Sequence, residues 1–176
     1  MVRTSQNRCR IHVITGDGIG KTTSSLGMAL RSLGHCHRVV IIQFMKGRKD
    51  IGEYKFAKRV EGFEIFQFGR PGWVDCKSPS GADRQLARKG LDFTRFIITG
   101  DDCPRLVVLD EINLACNIGL IDVAEVLDII RHAPRTTDIV LTGRSAPKAL
   151  FDAADFVSEV RAVKVRKVRA RKGIGF

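Results

Sequence analysis

The segment Thr15–Thr23, T-G-D-G-I-G-K-T-T, restricts the possible folds of this chain more than any other stretch. It follows a short β-branched run, Arg10–Thr15 (R-I-H-V-I-T). It runs into Thr22–Leu33, where Leu26, Ala29, Leu30 and Leu33 recur at helical spacing and Gly34 supplies a stop. Strand, glycine cluster and helix in that order match the phosphate-binding loop G-x-x-x-x-G-K-[ST], with Thr15 in place of the leading glycine. Gly16, Gly18 and Gly20 let the backbone curl with its N–H groups pointing inward, and the positive end of the following helix attracts phosphate oxygens. The expected nucleotide-binding set is therefore Gly16, Asp17, Gly18, Ile19, Gly20, Lys21, Thr22 and Thr23. Within it Lys21 is a point charge, and the Thr22 hydroxyl is placed to ligate Mg²⁺.

The rest of the chain continues the alternation. Arg38–Phe44 is almost entirely apolar, as a parallel strand covered on both faces must be. Phe63–Phe68 predicts a third strand, and the long Gly- and Pro-bearing loop from Gly69 to Pro79, read as functional, leads to a helix from about Ser80 to Ile98. Leu106–Leu109 is a compact buried strand that ends at Asp110 and Glu111. Asp122 with Glu125 reads as a capping-box-like start for a helix whose Val123, Val126, Leu127 and Ile130 share one face. A strand at Ile139–Thr142, a short helix near Pro147–Ala153 and a last strand around Phe156–Val160 complete the order βαβαβαβαβαβ.

That order predicts an α/β fold: one doubly wound, mainly parallel sheet of the P-loop NTPase (RecA-like) type over residues 1–176, with a basic tail from about residue 161. Ligands then gather at the carboxyl ends of the strands. Asp110 and Glu111 emerge at such an end, so one of them is expected to hold Mg²⁺ directly or through water. ATP and Mg²⁺ are thus the expected ligands of the loop.

Composition bounds the alternatives. With 44% hydrophobic and 28% charged residues, the chain falls among folding globular sequences. Neither a bilayer-spanning apolar run nor an apolar signal core is present, which predicts a cytoplasmic protein with no membrane partner. The five cysteines are widely spaced without a C-x-x-C pair, which predicts reduced, mostly buried thiols. The formal net charge of +11 is uneven: Arg161, Lys164, Arg166, Lys167, Arg169, Arg171 and Lys172 crowd the tail without one acid. Either an anionic partner or a solvated basic tail accounts for it.

Four further segments are similar to the P-loop family of ATP:corrinoid adenosyltransferases: V-I-I-Q-F-M-K-G with Gly52 and Glu53 beyond it, V-V-L-D-E-I-N ending at Asn113, L-T-G-R-S-A-P from Leu141, and the terminal K-G-I-G-F. The resemblance implies that Co(I) of a corrinoid substrate attacks C5′ of ATP and releases triphosphate, with no general base; the four histidines form no visible dyad or cluster. It implies catalytic roles for Lys21, Thr22, Glu111 and Trp73, the last an aromatic that helps strip the lower cobalt ligand, although a core or lid position also fits Trp73. Lys46 and Glu53, at a strand end, are read as nucleotide or corrinoid contacts or as a surface ion pair; Arg144 is read as a ligand contact because it follows T-G at a strand end, and Asn113 as either a ligand contact or a structural residue. A homodimer and a reductase supplying Co(I) are carried over from the same resemblance. The chain departs from the family pattern at Ile19, where relatives carry an extra lysine, around Val165, and at Gly175, where they carry an acid.

Three other uses of the loop remain compatible with the residues. A small-molecule kinase would need an Arg-rich lid, for which the tail is the only comparable cluster. A nucleic-acid-binding ATPase module fits the charge, but one Trp and one Tyr offer no stacking platform, so nucleic acid is not the expected partner. A relative that delivers ATP or corrinoid without turnover is the third.

Overall fold

Along the described residues, which are 9–72, 74–166 and 169–175 of a computed structural model, strands and helices follow one another as β1 (Arg10–Thr15), α1 (Lys21–Leu33), β2 (Val39–Phe44), α2 (Gly52–Ala57), β3 (Phe63–Phe68), α3 (Gly81–Thr99), β4 (Leu106–Asp110), α4 (Ile112–Asn117), α5 (Val123–Arg131), β5 (Asp138–Thr142), α6 (Lys148–Ala153) and β6 (Phe156–Glu159). Trp73, Lys167 and Phe176, singled out above, lie outside the described residues. The strands form one sheet in the order β3-β2-β4-β5-β1-β6, and every ladder is parallel.

Period-two alternation sends successive side chains of each strand to opposite faces. Val40, Ile42 and Phe44 of β2 join Val107 and Leu109 of β4 and Ile139 and Leu141 of β5 under α3, α4, α5 and α6. Val39 and Ile41, with Val108, Val140 and Ile65, pack on the other face against α1 and α2. Both faces are covered, as the near-continuous apolar β2 requires. Full burial of each large aliphatic side chain contributes about 1.5–3 kcal/mol, and Ile41 and Ile42 are no more than 1% exposed.

The helix starts show local chemistry at work. Ser80 and Asp83 form a reciprocal capping box at α3, which explains why that helix begins where the Gly/Pro loop ends. At α5 the expected box is only half made: Asp122 caps Ala124 N, while Glu125 reaches across to Arg88 of α3 instead of back to the cap. Two short helices depart from the sequence reading. Gly52–Ala57 puts Glu53 in the first turn of α2 rather than in a loop, and Ile112–Asn117 puts Asn113 in α4. All five cysteines are free as expected, but only Cys9 and Cys116 are buried, while Cys36 and Cys76 are exposed. Burial pushes the Cys9 and Cys116 thiols up to about 12, so neither is a thiolate near neutrality. No described helix is long and apolar enough to cross a membrane.

Candidate active site

The loop between β1 and α1 is shaped by two separate demands on its glycines. Gly16 and Gly20 sit at φ +101° and +118°, a region that side chains disfavour. Gly18 is required by space: a Cβ there would lie 2.8 Å from the Val160 carbonyl oxygen, and at Gly16 the same clash would occur at 2.3 Å. The chain leaving β6 therefore presses on the loop, and Gly18 N–H donates to Val160 O at 2.8 Å. Asp17 faces the same segment, accepting from Ala162 N at 3.3 Å. Ile19 at the loop tip is 90% exposed.

Among the described residues no side chain caps α1, and no acid stands in its first turn, so the N–H groups there lack protein acceptors of their own helix and remain available to an anion. Lys21 is buried, its Nζ donating to Gly16 O at 2.8 Å and Gly18 O at 2.7 Å, which holds the charge inside the loop. Burial, with Arg144 and Lys46 nearby, pulls its pKa below the ordinary lysine value.

Across the sheet Asp110 is fully buried and accepts four hydrogen bonds. Thr22 Oγ1 at 2.9 Å and Thr142 Oγ1 at 2.7 Å donate to its Oδ1; Gln43 Nε2 at 3.0 Å and Lys46 Nζ at 2.7 Å donate to its Oδ2. Burial alone would raise the Asp110 pKa, but the Lys46 charge and these donors outweigh it, and the carboxylate is held below its ordinary range. Lys46 is raised for the matching reason, since Asp110 more than offsets the burial that would lower it. Glu111 sits next to it in a left-handed conformation, φ 66°, with its pKa raised by burial and by Asp110.

Lys46 Nζ also donates to Thr22 Oγ1 at 3.1 Å, so an ammonium lies between the two groups expected to hold a divalent ion. A hydroxyl and a carboxylate placed around a cation are the oxygen donors that Mg²⁺ takes beside phosphate and water. The residues fit that ion, provided the part-exposed Lys46 yields its place. Among the described residues no group of three or more His, Cys, Asp or Glu forms a site that could hold a metal.

Two cavities meet at Lys46, Glu53 and Gly175. The first, about 560 Å³, runs along α1 from Thr22 and Thr23 to α2 and is closed by the turn Gly173–Gly175 of the tail. The second, about 480 Å³, is walled by the loops that follow β2 and β3, with Arg48, Gln67 and Arg70 on its rim. Glu53 lies close enough to raise the Lys46 pKa, and Arg144 close enough to lower that of Glu111. Thus Lys21, Thr22, Asp110, Glu111, Lys46, Glu53 and Arg144 converge. Asn113 does not reach a cavity: it is fully buried, its Nδ2 spans Ile14 O, Leu141 O and Gly143 O at 3.3–3.4 Å, and it ties the ends of β1 and β5 together. Phe68 packs on Phe93 of α3, 5.4 Å between ring centroids, as a half-buried residue against the core.

Sequence reasoning missed Gln43, Gln67 and Thr142. A lone amide in V-V-I-I-Q-F and another in F-E-I-F-Q-F were the available signal, because an amide buried in an apolar strand needs a partner.

Comparison with known proteins agrees with this geometry. The chain is 32% identical over its whole length to a corrinoid adenosyltransferase of Sinorhizobium sp, covering 84% of that protein. It is 32% identical over 93% of its length to a corrinoid adenosyltransferase of Pseudomonas aeruginosa, covering 82% of that relative. It is 30% identical over its whole length to the corrinoid adenosyltransferase CobA of Salmonella typhimurium, covering 90% of it. The family model described as ATP:corrinoid adenosyltransferase BtuR/CobO/CobP matches residues 7–176. The P-loop, the buried Asp110 and the match across nearly all of the chain converge on one conclusion: this chain belongs to the ATP:corrinoid adenosyltransferase family.

Proposed function

We propose that the protein transfers the 5′-deoxyadenosyl group of ATP to Co(I) of a corrinoid substrate in adenosylcobalamin biosynthesis. The cobalt forms a bond to C5′, the C5′–O bond breaks, and its electron pair leaves with triphosphate. The observation that carries this reading is the adjacency of the two cavities: the one that begins at Thr22 and Thr23, beside the Lys21 grip, shares Lys46 and Glu53 with a second space large enough to admit part of a corrinoid.

Nothing in this exchange removes a proton, so the protein's task is to orient and to stabilise the leaving group. The free N–H groups of α1 and the Lys21 ammonium face the triphosphate, and charge grows there as the C5′–O bond lengthens. Mg²⁺, held by Thr22 and Asp110 with Glu111 beside them, would neutralise part of that charge. Lys46, freed from Asp110, is then a cation at the junction of the two cavities, with Glu53 within its field. Arg144 places its charge within reach of Lys21 and Glu111, and the family resemblance gives Trp73 the task of helping to strip the lower cobalt ligand. A homodimer working in the cytoplasm, supplied with Co(I) by a separate reductase, accords with the family resemblance.

The test is an anaerobic mixture of protein, chemically reduced Co(I) corrinoid, ATP and Mg²⁺, followed by the Co(I) spectrum. Loss of that spectrum with a light-sensitive adenosylcorrinoid and one triphosphate per product supports the reading. ATP binding with neither product, or phosphate transferred to a hydroxyl acceptor, refutes it.

A further inference from the structure

On the α1-side face of four neighbouring strands, the apolar alternation gives way to a polar residue at the same level. These residues are Gln67 of β3, Gln43 of β2, Asp110 of β4 and Thr142 of β5. The ladders set Gln67 opposite Gln43 and Gln43 opposite Asp110, so the row is the sheet's own register expressed in side chains. Gln67 Nε2 donates to Gln43 Oε1 at 2.9 Å, and Gln43 Nε2 donates to Asp110 Oδ2 at 3.0 Å. The far end is tied to the backbone, because Gln67 Nε2 also donates to Arg48 O at 2.9 Å.

Direction follows from what each group can do. A backbone carbonyl and an ionised carboxylate only accept, while an amide has a donating and an accepting end of nearly the same shape. Asp110 needs the NH₂ end of Gln43, and a turned amide would set a carbonyl against the carboxylate. Gln67 removes that choice by offering NH₂ to Gln43 Oε1. Gln67 is oriented in turn by Arg48 O, and it keeps this orientation even though its own Oε1 is buried without a partner among the described residues. The loop bearing Arg48 is itself locked: a Cβ at Gly47 would lie 2.4 Å from Gly69 O, and one at Gly69 would lie 2.3 Å from Lys46 N.

The geometry assigns Gln43 and Gln67 as positioning residues. They form a one-way amide relay that begins at the Arg48 carbonyl, in the wall of the second cavity, and fixes the Asp110 carboxylate for the metal that accompanies the triphosphate. This rests on the reading that Asp110 and Thr22 hold that metal. Gln67 acts on Asp110 through Gln43.

Equilibrium binding of Mn²⁺ in the presence of a non-reactive ATP analogue tests the relay on the full chain, with melting temperature and both KM values measured in parallel. Gln43→Met should weaken the metal by about 10–100-fold, the range for groups that orient a metal ligand. Gln67→Met, at a part-exposed position of the edge strand β3, should weaken it measurably, by up to about tenfold, whatever happens to the corrinoid KM, since Gln67 also lies on the rim of the second cavity. The double variant should be no worse than Gln43→Met alone, since one residue acts through the other. Unchanged Mn²⁺ binding in Gln67→Met overturns the relay, as does a loss confined to the corrinoid KM or losses that multiply in the double variant. Gln67→Met decides the matter even where Gln43→Met does not fold. The binding readout needs no turnover, so the relay stands or falls separately from the assigned reaction.

Discussion

Around Asp110 nearly every hydrogen-bonding group comes from the end of a strand or the first turn of α1, whereas the wall of the second cavity is made of loops whose charges pair near the surface. Thr22, Gln43 and Thr142 are set by the sheet and by α1. Arg48, by contrast, pairs with Asp50, and Arg70 reaches from the Gly69–Pro79 loop to Asp83 at the start of α3. The phosphate side is preorganised by the fold itself, and the other side depends on a few ion pairs that tie its loops down. Triphosphate presents the same oxygens each time, while a corrinoid is broad and must be admitted and released, so rigidity on one side and clamped loops on the other suit their tasks.

The sharpest way to break this contrast is on the rigid side. Lys21→Ala should lower kcat/KM for adenosyl transfer by about 10²–10³-fold while the melting temperature stays near that of the unsubstituted protein, since the Lys21 ammonium bonds to two carbonyls of its own loop. Near-normal turnover would remove Lys21 from the leaving-group grip.

An intermediate effect is expected at the clamp. Asp83 is held at about 2 by the Arg70 guanidinium first and by Ser80 second, well below the ordinary value of about 3.9. A depressed folded pKa adds stability that is fully present above about pH 4 and fades as pH falls toward 2. Arg70→Ala should therefore melt a few degrees lower at pH 6, with the gap to the unsubstituted protein closing as pH approaches 2. Equal melting curves at pH 6 would show that the clamp contributes nothing. A raised corrinoid KM with an unchanged KM for ATP would place its role in the second cavity.

The smallest change belongs to the loop tip. Ile19→Lys adds an exposed charge beside the phosphate site and should lower the KM for ATP by up to about fivefold, the range of a solvent-exposed ion pair. The gain should shrink as salt is added. A KM that does not move shows that position 19 faces away from the triphosphate.

Which parts of the site were legible in the sequence follows the same division. The P-loop is local: strand, glycines, lysine and helix are contiguous, so Lys21 and Thr22 could be placed without the fold. Asp110 was legible because an acid ending an apolar run at a strand's carboxyl end is a two-residue signal. Gln43, Gln67 and Thr142 were not, because their meaning lies in register between strands far apart in the chain. Asn113 looked like a ligand contact from its place after Asp110 and Glu111, but the left-handed turn at Glu111 starts α4 and swings the amide under β1 and β5. The capping reading of Asp122 and Glu125 failed halfway because Arg88, distant in sequence, competes for the Glu125 carboxylate.

The pressure of Val160 on Gly16 and Gly18 bears on how the protein is made. β1 pairs with β5 and β6, so both of its neighbours are translated long after it. The phosphate loop therefore leaves the ribosome well before the segment that packs on it, and takes its final shape only once residues 156–162 have docked. A nascent chain lacking them carries the complete P-loop sequence without the Val160 contacts that pack it, and the slow step in maturation should be the docking of β6 on β1 across that long separation in sequence.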